Sequence, residues 1–521
     1  MIRKIFVSVI IFFFFIVGLG WYLLITPAKD LNKVSITAAP KPVVVIVIDS
    51  LMDQPLKKAM DEGKAPALEF LMKHGQYLPK MVSSYPTMSV TIDSTLLTGT
   101  YADKHKIPGL SWFKQDENRL ISYGGGKSEM WNLGIKNVVR DGLIELNETH
   151  LNKSTPTIYE ELAKSHIQSA SINGLIHRGD QTHRLHIPTL VSGMNLLPHD
   201  VEVNGPALLS MGSLSQFNPE NNRYNYVWQS MGINNQFTSN ELTYFIQKDK
   251  LPAFTLAYFP NLDQQVHEHG PKEQKGIEEV DKQLQTILNA YSSWDDAIQK
   301  AIWIVHGDSG QSAIIKDRNK ALIDLNTLLD EYTFWNPDRP SNKELALAVN
   351  ERMAYIHIQD ERIEISDITS KLKTDSRIDF IAWKKDNISH VLAEGSDKPF
   401  TFSPNGPYTD QYGQSWDLKG DRSILDLSVN EQNEINYDDY PDALARLYGA
   451  LHSHEGQYII VDAKPGYEFV GTHSPNHAGG AAHGSLHKID SEVPLIITGT
   501  DQAPKHQRLV DFKDWLVELT K

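Results

Sequence analysis

The sequence predicts an α/β fold built on a central, mostly parallel sheet. Two observations carry that expectation. Apolar, largely β-branched runs recur at Val43–Ile48, Phe254–Phe259, Ala301–Val305, Tyr458–Val461 and Pro494–Thr498. A run without polar alternation fits a strand covered on both faces, as in a parallel sheet between helical layers. Helical patterns lie between the runs, among them Pro156–Ser165 and Pro441–Leu451. Strands alternating with helices give an α/β architecture.

In chain order, the first element stands apart from that core. Arg3 and Lys4 precede Ile5–Ile25, a run with no charged residue. At 1.5 Å per residue such a run reaches roughly 30 Å, enough to cross a bilayer core. Trp21 and Tyr22 close to its end, and no Ala-x-Ala after it, favour an uncleaved membrane anchor over a cleaved signal. The four-residue tail before it places the rest of the chain outside the membrane, although Lys29, Lys33 and Lys41 blunt the charge bias. Residues 26–40 read as a tether and 41–325 as the first part of the main α/β core. Ser154 or Thr155 is the expected N-cap of the helix at Pro156–Ser165, and Pro441 suits a first helical turn. Residues 326–456 are polar, with their own strand–helix–strand pattern at Ala354–Ile358, Ile365–Leu372 and Ile378–Trp383. They read as an insertion or cap, and 457–521 as the C-terminal part of the core.

With 521 residues the chain has room for one large domain or two smaller ones. A hydrophobic share of 40% is ordinary for a globular core and excludes a polytopic membrane protein. The net charge of −15 argues against binding nucleic-acid polymers, which draws on Lys and Arg. A small phosphorylated substrate remains compatible, because bound metal ions can supply local positive charge. The absence of cysteine excludes disulfides, thiolate zinc ligation and thiol catalysis.

Ligands of open α/β sheets bind beyond the carboxyl ends of the strands, and acidic residues stand there. Asp49 follows the first run, Asp263 lies just past the second, and Asp308 closes the third. Asp263 and His267 are four apart, so one helix turn would aim both at a single metal ion. Carboxylate plus imidazole suits zinc or a similar divalent ion. Val90–Leu97 can form a short helix closed by Gly99, which puts Ser89 at its N-terminus, where amides and the helix dipole favour an anion. Thr87 and Thr91 are rival hydroxyls. Near the C-terminus, His477, His483 and His487 each could complete a metal site. Gly307–Gly310 reads Gly-Asp-Ser-Gly, but no serine-protease histidine motif precedes it. Gly124–Ser128 lacks the first glycine and lead-in strand of a phosphate-binding loop, and reads as a flexible turn.

The order of these motifs resembles the alkaline phosphatase superfamily, and within it the type I phosphodiesterases and nucleotide pyrophosphatases. Asp49 matches the Asp after the first strand. Ser89 stands nine residues before Thr98-Gly99, where that family has its Ser or Thr nucleophile. Asp263, His267, Gly270 and Pro271 match Asp-x-x-x-His-x-x-Gly-Pro, and His483-Gly484 precedes a Val493-Pro494 strand. The resemblance implies an alkaline-phosphatase-like three-layer core and hydrolysis of phosphate esters through a phosphoseryl intermediate on Ser89. It implies two divalent ions, most simply Zn²⁺. Asp263, His267 and His483 would hold one of them; Asp49, Ser89 and Asp308 would hold the other. The sequence departs at Ser309, where the family carries His. Either His306 substitutes, or the second site is weaker, takes Mn²⁺ or Mg²⁺, or is lost. The family's phosphate-binding Asn has no match near Leu110. Two other functions fit the same motifs: a cell-envelope phosphoglycerol or phosphoethanolamine transferase, and a non-catalytic binding protein with a degenerate second site.

Overall fold

The computed structural model describes residues 28–521, apart from 194–195, 341–342 and 397. The expected anchor at 5–25 lies outside the described residues. Among the described residues no helix is long and apolar enough to cross a membrane.

Eleven strands bear on the site. In chain order they are β1 (Val43–Ile48), β2 (Gly75–Val82), β3 (Ser169–Ile172), β4 (Leu208–Ser210), β5 (Phe254–Phe259), β6 (Ile302–Gly307), β7 (Leu345–Asn350), β8 (Met353–Ile358), β9 (Ile378–Lys385), β10 (Gln457–Ala463) and β11 (Glu492–Thr498). The first sheet has the order β2–β11–β6–β1–β5–β3–β4. From β6 to β4 its strands run parallel. β11 is antiparallel to β6, and β2 to β11.

All six residues of β1 are fully buried. Val43, Val45 and Val47 pack on one side with the helices at Ser89–Thr98 and Phe512–Thr520. Val44, Ile46 and Ile48 pack on the other with Phe245, Val280 and Leu284. The result is three layers, helices on both faces of a sheet. Burying each aliphatic side chain contributes about 1.5–3 kcal/mol.

The second sheet has nine strands and includes the series β7–β8–β10–β9. β10 holds the run at Tyr458–Val461 and pairs antiparallel with both β8 and β9. That run therefore belongs to the second sheet, not the first. A central strand is covered on both faces in either sheet, so the residues alone do not distinguish the two.

Helix α1 spans Ser89–Thr98 and ends at Gly99, whose φ of 65° is the left-handed turn that glycine adopts freely. Helix α2 spans Asn261–His269, and α3 spans Phe512–Thr520. The helix expected at Pro156–Ser165 runs Ile158–Lys164. Its cap is Thr157, not Ser154 or Thr155. The side chain of Thr157 accepts from the Glu160 amide while Glu160 reaches back to the Thr157 amide. The pattern Thr157-x-x-Glu160 was the signal for this reciprocal cap.

Candidate active site

The parallel register brings three strand ends level. Ile48 of β1 lies opposite Gly307 of β6 and Phe259 of β5. Asp49 and Asp308 therefore leave the sheet side by side, and the Asp49 amide donates to the Phe259 carbonyl at 3.1 Å. The Tyr258 phenol donates to Asp49 Oδ2 at 2.5 Å. Asp308 Oδ1 accepts from the Ser50 and Ser309 amides at 2.8 and 2.7 Å. Asp49 Oδ1 and Asp308 Oδ2 are buried and have no protein partner. Burial, with Asp308 and Asp263 close by, holds Asp49 well above the usual carboxylate range. Burial also raises Asp308. Two buried carboxylates with orphaned oxygens are costly alone; a proton on the carboxyl or a bound cation relieves that cost.

Helix α2 starts directly after β5, so Asp263 and His267 come out on one helix face. Asp263 Oδ1 lies 3.2 Å from His267 Nε2 and 3.6 Å from His483 Nε2. These ligand atoms all fall within 4.8 Å of one another. His267 Nδ1 sits 2.8 Å from the Ala481 carbonyl, and His483 Nδ1 contacts the Thr87 carbonyl. A carbonyl only accepts, so each Nδ1 carries a hydrogen and each Nε2 faces the centre. Backbone carbonyls fix metal-binding imidazoles in this way. Burial alone would lower the His267 pKa, but Asp263 and Glu351 outweigh it and hold the group up at about 10. Burial alone would raise Asp263, but His267 and His483 hold it below the usual carboxylate range. A proton on His267 thus takes the electrostatic place of a cation, and the donor set fits a metal ion.

Ser89 is the first residue of α1 and is half-buried. The Thr87 hydroxyl is fully buried and accepts from the Gly484 amide at 2.7 Å. Thr91 is also fully buried. Of the three rival hydroxyls, Ser89 alone combines exposure with a helix N-terminus. His306 does not take the place of the missing imidazole. Its ring packs edge-on against Phe512 of α3, its Nδ1 donates to the Gly307 carbonyl at 2.7 Å, and burial lowers it to about 4. It lies one step inward from Asp308 along β6, on the core side. Ser309 occupies the loop position itself, with its hydroxyl 3.4 Å from that of Ser50. Of the C-terminal histidines, His477 stacks on His267 with centroids 4.2 Å apart, while His487 turns to Tyr440 and Asp439.

Several residues here were not singled out from the sequence. Ser50 and Gln311 both donate to Asp263 Oδ1, at 2.8 and 2.7 Å. Tyr258 was hidden in an apolar run, although a phenol one residue before a strand's carboxyl end was a signal. Asp93, one helix turn after Ser89, is fully buried and held high by burial and by Asp308. Glu351 comes from the β7–β8 hairpin and had no local signal. A cavity of about 680 Å³ opens beside Gln311, with Lys80, Lys272 and Lys488 in its wall.

With this geometry in view, known proteins were compared. Murine ectonucleotide pyrophosphatase / phosphodiesterase 5 is 12% identical, with a TM-score of 0.54 over 92% of this chain and 95% of that one. An inactive variant of the same protein, solved in complex with AMP, gives the same values. Phosphonoacetate hydrolase from Sinorhizobium meliloti in complex with phosphonoformate is 13% identical, with a TM-score of 0.55 over 95% of this chain and all of that one. At such identities these likenesses speak to the fold alone. No curated protein matches the sequence at a significant level. The family model for type I phosphodiesterase / nucleotide pyrophosphatase matches residues 43–486, from the first residue of β1 to beyond His483. The chain therefore belongs to the type I phosphodiesterase / nucleotide pyrophosphatase family and is a phosphoester hydrolase.

Proposed function

We propose that the chain is a metal-dependent phosphodiesterase or nucleotide pyrophosphatase with Ser89 as its nucleophile. The observation that carries this reading is the meeting of Asp263, His267 and His483, with both Nε2 atoms turned inward and both Nδ1 atoms tied to backbone carbonyls. Asp263, His267 and His483 would hold one divalent ion, and a mixed imidazole–carboxylate set suits zinc. Asp49, Asp308 and Ser89 would hold the second. With Ser309 in place of an imidazole that set is all oxygen, which suits Mn²⁺ or Mg²⁺. Such ions, when bound, polarise a phosphoryl oxygen and lower the pKa of a hydroxyl.

The chain's own residues supply the rest. Ser89 Oγ attacks phosphorus, the P–O bond to the leaving group breaks, and the Ser89 proton is released. The first amides of α1 have no intrahelical acceptor, so they and the helix dipole favour the alkoxide. Water then cleaves the phosphoseryl bond, releasing the phosphorylated product and restoring the hydroxyl. Lys272 in the wall of the adjoining cavity offers positive charge for a phosphorylated substrate, while Lys80 and Lys488 there are paired with Glu492 and Asp439. Residues 5–25 would anchor the enzyme in the cell membrane with its catalytic part outside, a reading supported by their uncharged run.

The test is hydrolysis of bis-p-nitrophenyl phosphate against p-nitrophenyl phosphate by the purified protein, with and without chelator. We expect ion-dependent cleavage of the diester, faster than that of the monoester, and none after chelation. A folded protein that cleaves neither ester with any divalent ion sinks the reading.

Ser309 favours a second reading, a binding protein whose second site has decayed. The two diverge for Ser309→His. If the Asp49–Asp308 pair still serves an ion, restoring an imidazole should tighten the second ion by about tenfold or more, read as a lower ion concentration for half-maximal activity. A binding protein gains no activity from the change.

A further inference from the structure

Glu351 occupies an unusual place. It sits at the tip of the β7–β8 hairpin with φ of 58°. A left-handed turn suits Gly, Asn or Asp, and a long side chain there is strained. The hairpin tip is firmly docked on the first sheet's C-terminal segment. The Arg352 amide donates to the His483 carbonyl at 2.9 Å, and the Phe469 amide donates to the Glu351 carbonyl at 2.8 Å. Arg352 forms a fully buried ion pair with Asp490. The approach is close enough that a Cβ on Gly484 would lie 2.4 Å from the Asn350 carbonyl oxygen.

The docked tip turns the Glu351 carboxylate toward the histidines. Oε2 accepts the His483 amide hydrogen at 3.0 Å. Oε1 lies 3.7 Å from His267 Nε2, and Oε2 lies 3.9 Å from His483 Nε2. His477, stacked on His267, is held by Glu468 at 3.0 Å and closes the far side 4.0 Å from Glu351. Ligand atoms of a tetrahedral zinc, with bonds of ~2.0–2.1 Å, stand ~3.3–3.4 Å apart. Asp263 Oδ1 stands 3.2 and 3.6 Å from the two imidazoles, and Glu351 approaches them with different oxygens, Oε1 3.7 Å from His267 Nε2 and Oε2 3.9 Å from His483 Nε2, both a little wider than that value. His267, His477 and Glu351 also bring ligand atoms within 4.8 Å of one another. His267 has one free lone pair, however, because its Nδ1 is committed to Ala481. The two groupings share His267 and therefore serve one ion and not two.

We propose that Glu351 is a fourth protein ligand of the Asp263–His267–His483 ion, delivered by the second sheet. The inference rests on the metal reading given above. Two carboxylates neutralise a divalent ion, and four donors hold it from both sheets.

The experiment measures zinc affinity by competition with a chromophoric chelator, together with the visible absorption of the cobalt-substituted protein. It compares wild type, Glu351→Ala and Glu351→Gln. Glutamine keeps an acceptor for the His483 amide, so the hairpin stays docked. Losing even an outer partner of a metal ligand costs roughly 10–100-fold in affinity. Both variants are therefore expected to bind zinc more than 10-fold more weakly, with altered cobalt bands. If both match wild type in affinity and spectrum, Glu351 is not a ligand, while the Asp263–His267–His483 reading survives. If alanine alone weakens the ion, Glu351 only orients His483, and the ligand assignment is overturned. A wild type that binds neither zinc nor cobalt overturns the metal reading itself.

Discussion

Ser89→Ala is expected to lower kcat for diester hydrolysis by about 10⁴-fold or more, the scale on which a lost nucleophile is felt. The neighbouring hydroxyls cannot take over. Thr87 is buried and already accepts the Gly484 amide, and Thr91 is buried on the next part of the helix. The change removes one oxygen from the second ion's donors and leaves Asp263, His267 and His483 intact. Zinc at those three residues should therefore remain at wild-type stoichiometry, and the fold should be unaltered. Ser89→Thr is the companion variant. It keeps a hydroxyl at the same helix N-terminus and should recover much of the lost rate. Burst kinetics on bis-p-nitrophenyl phosphate and mass spectrometry of acid-quenched enzyme read the phosphoseryl adduct directly. Full activity in Ser89→Ala would falsify the nucleophile assignment, whatever the metal content.

The second large effect falls on stability. Arg352 and Asp490 are both fully buried, and their ion pair joins the hairpin tip to the segment that carries His483. Asp490 also accepts the Ser485 amide at 2.9 Å, and Arg352 donates to the Ala463 carbonyl at 2.8 Å. Asp490→Ala leaves a guanidinium buried without its counter-charge. Breaking a buried pair from one side typically costs about 3–5 kcal/mol. Denaturant unfolding should register a loss of that size. Arg352→Met combined with Asp490→Leu should recover a good part of it, because the desolvation penalty disappears with both charges. A single variant as stable as wild type would mean that the ion pair adds nothing to the docking of the hairpin.

Much of the site was legible because its logic is local. Asp49 and Asp308 each follow an unbroken apolar run, and strand ends are where an α/β sheet presents ligands. Asp263 and His267 are spaced by one helical turn. Ser89 was legible in part: the helix and its Gly99 stop came from the residues, while the choice among three hydroxyls came from a resemblance; the structure shows only that Thr87 and Thr91 are more deeply buried than Ser89. The contribution of the second sheet was not legible. Glu351 lies in a charged stretch where one more acid carries no pattern, and its role arises from a docking contact between residues far apart in sequence. Tyr458–Val461 was placed in the wrong sheet for a related reason: burial on two faces names a central strand without naming its neighbours. His306 illustrates the limit of counting residues along a strand. It shares a face with Asp308, but that face turns from the site to the core within one step, against Phe512.

The level ends of β1, β5 and β6 have a practical consequence for anyone who purifies this protein. Asp49, Asp263 and Asp308 reach one place only when three strands pair in a single register, and a slip by one residue inverts the side chains of the slipped strand. On the proposed assignment of these carboxylates, a misregistered molecule would be not a slower enzyme but a silent one. Specific activity, compared with total protein by absorbance, becomes a count of correctly registered molecules. Variation between preparations should appear in kcat with KM unchanged.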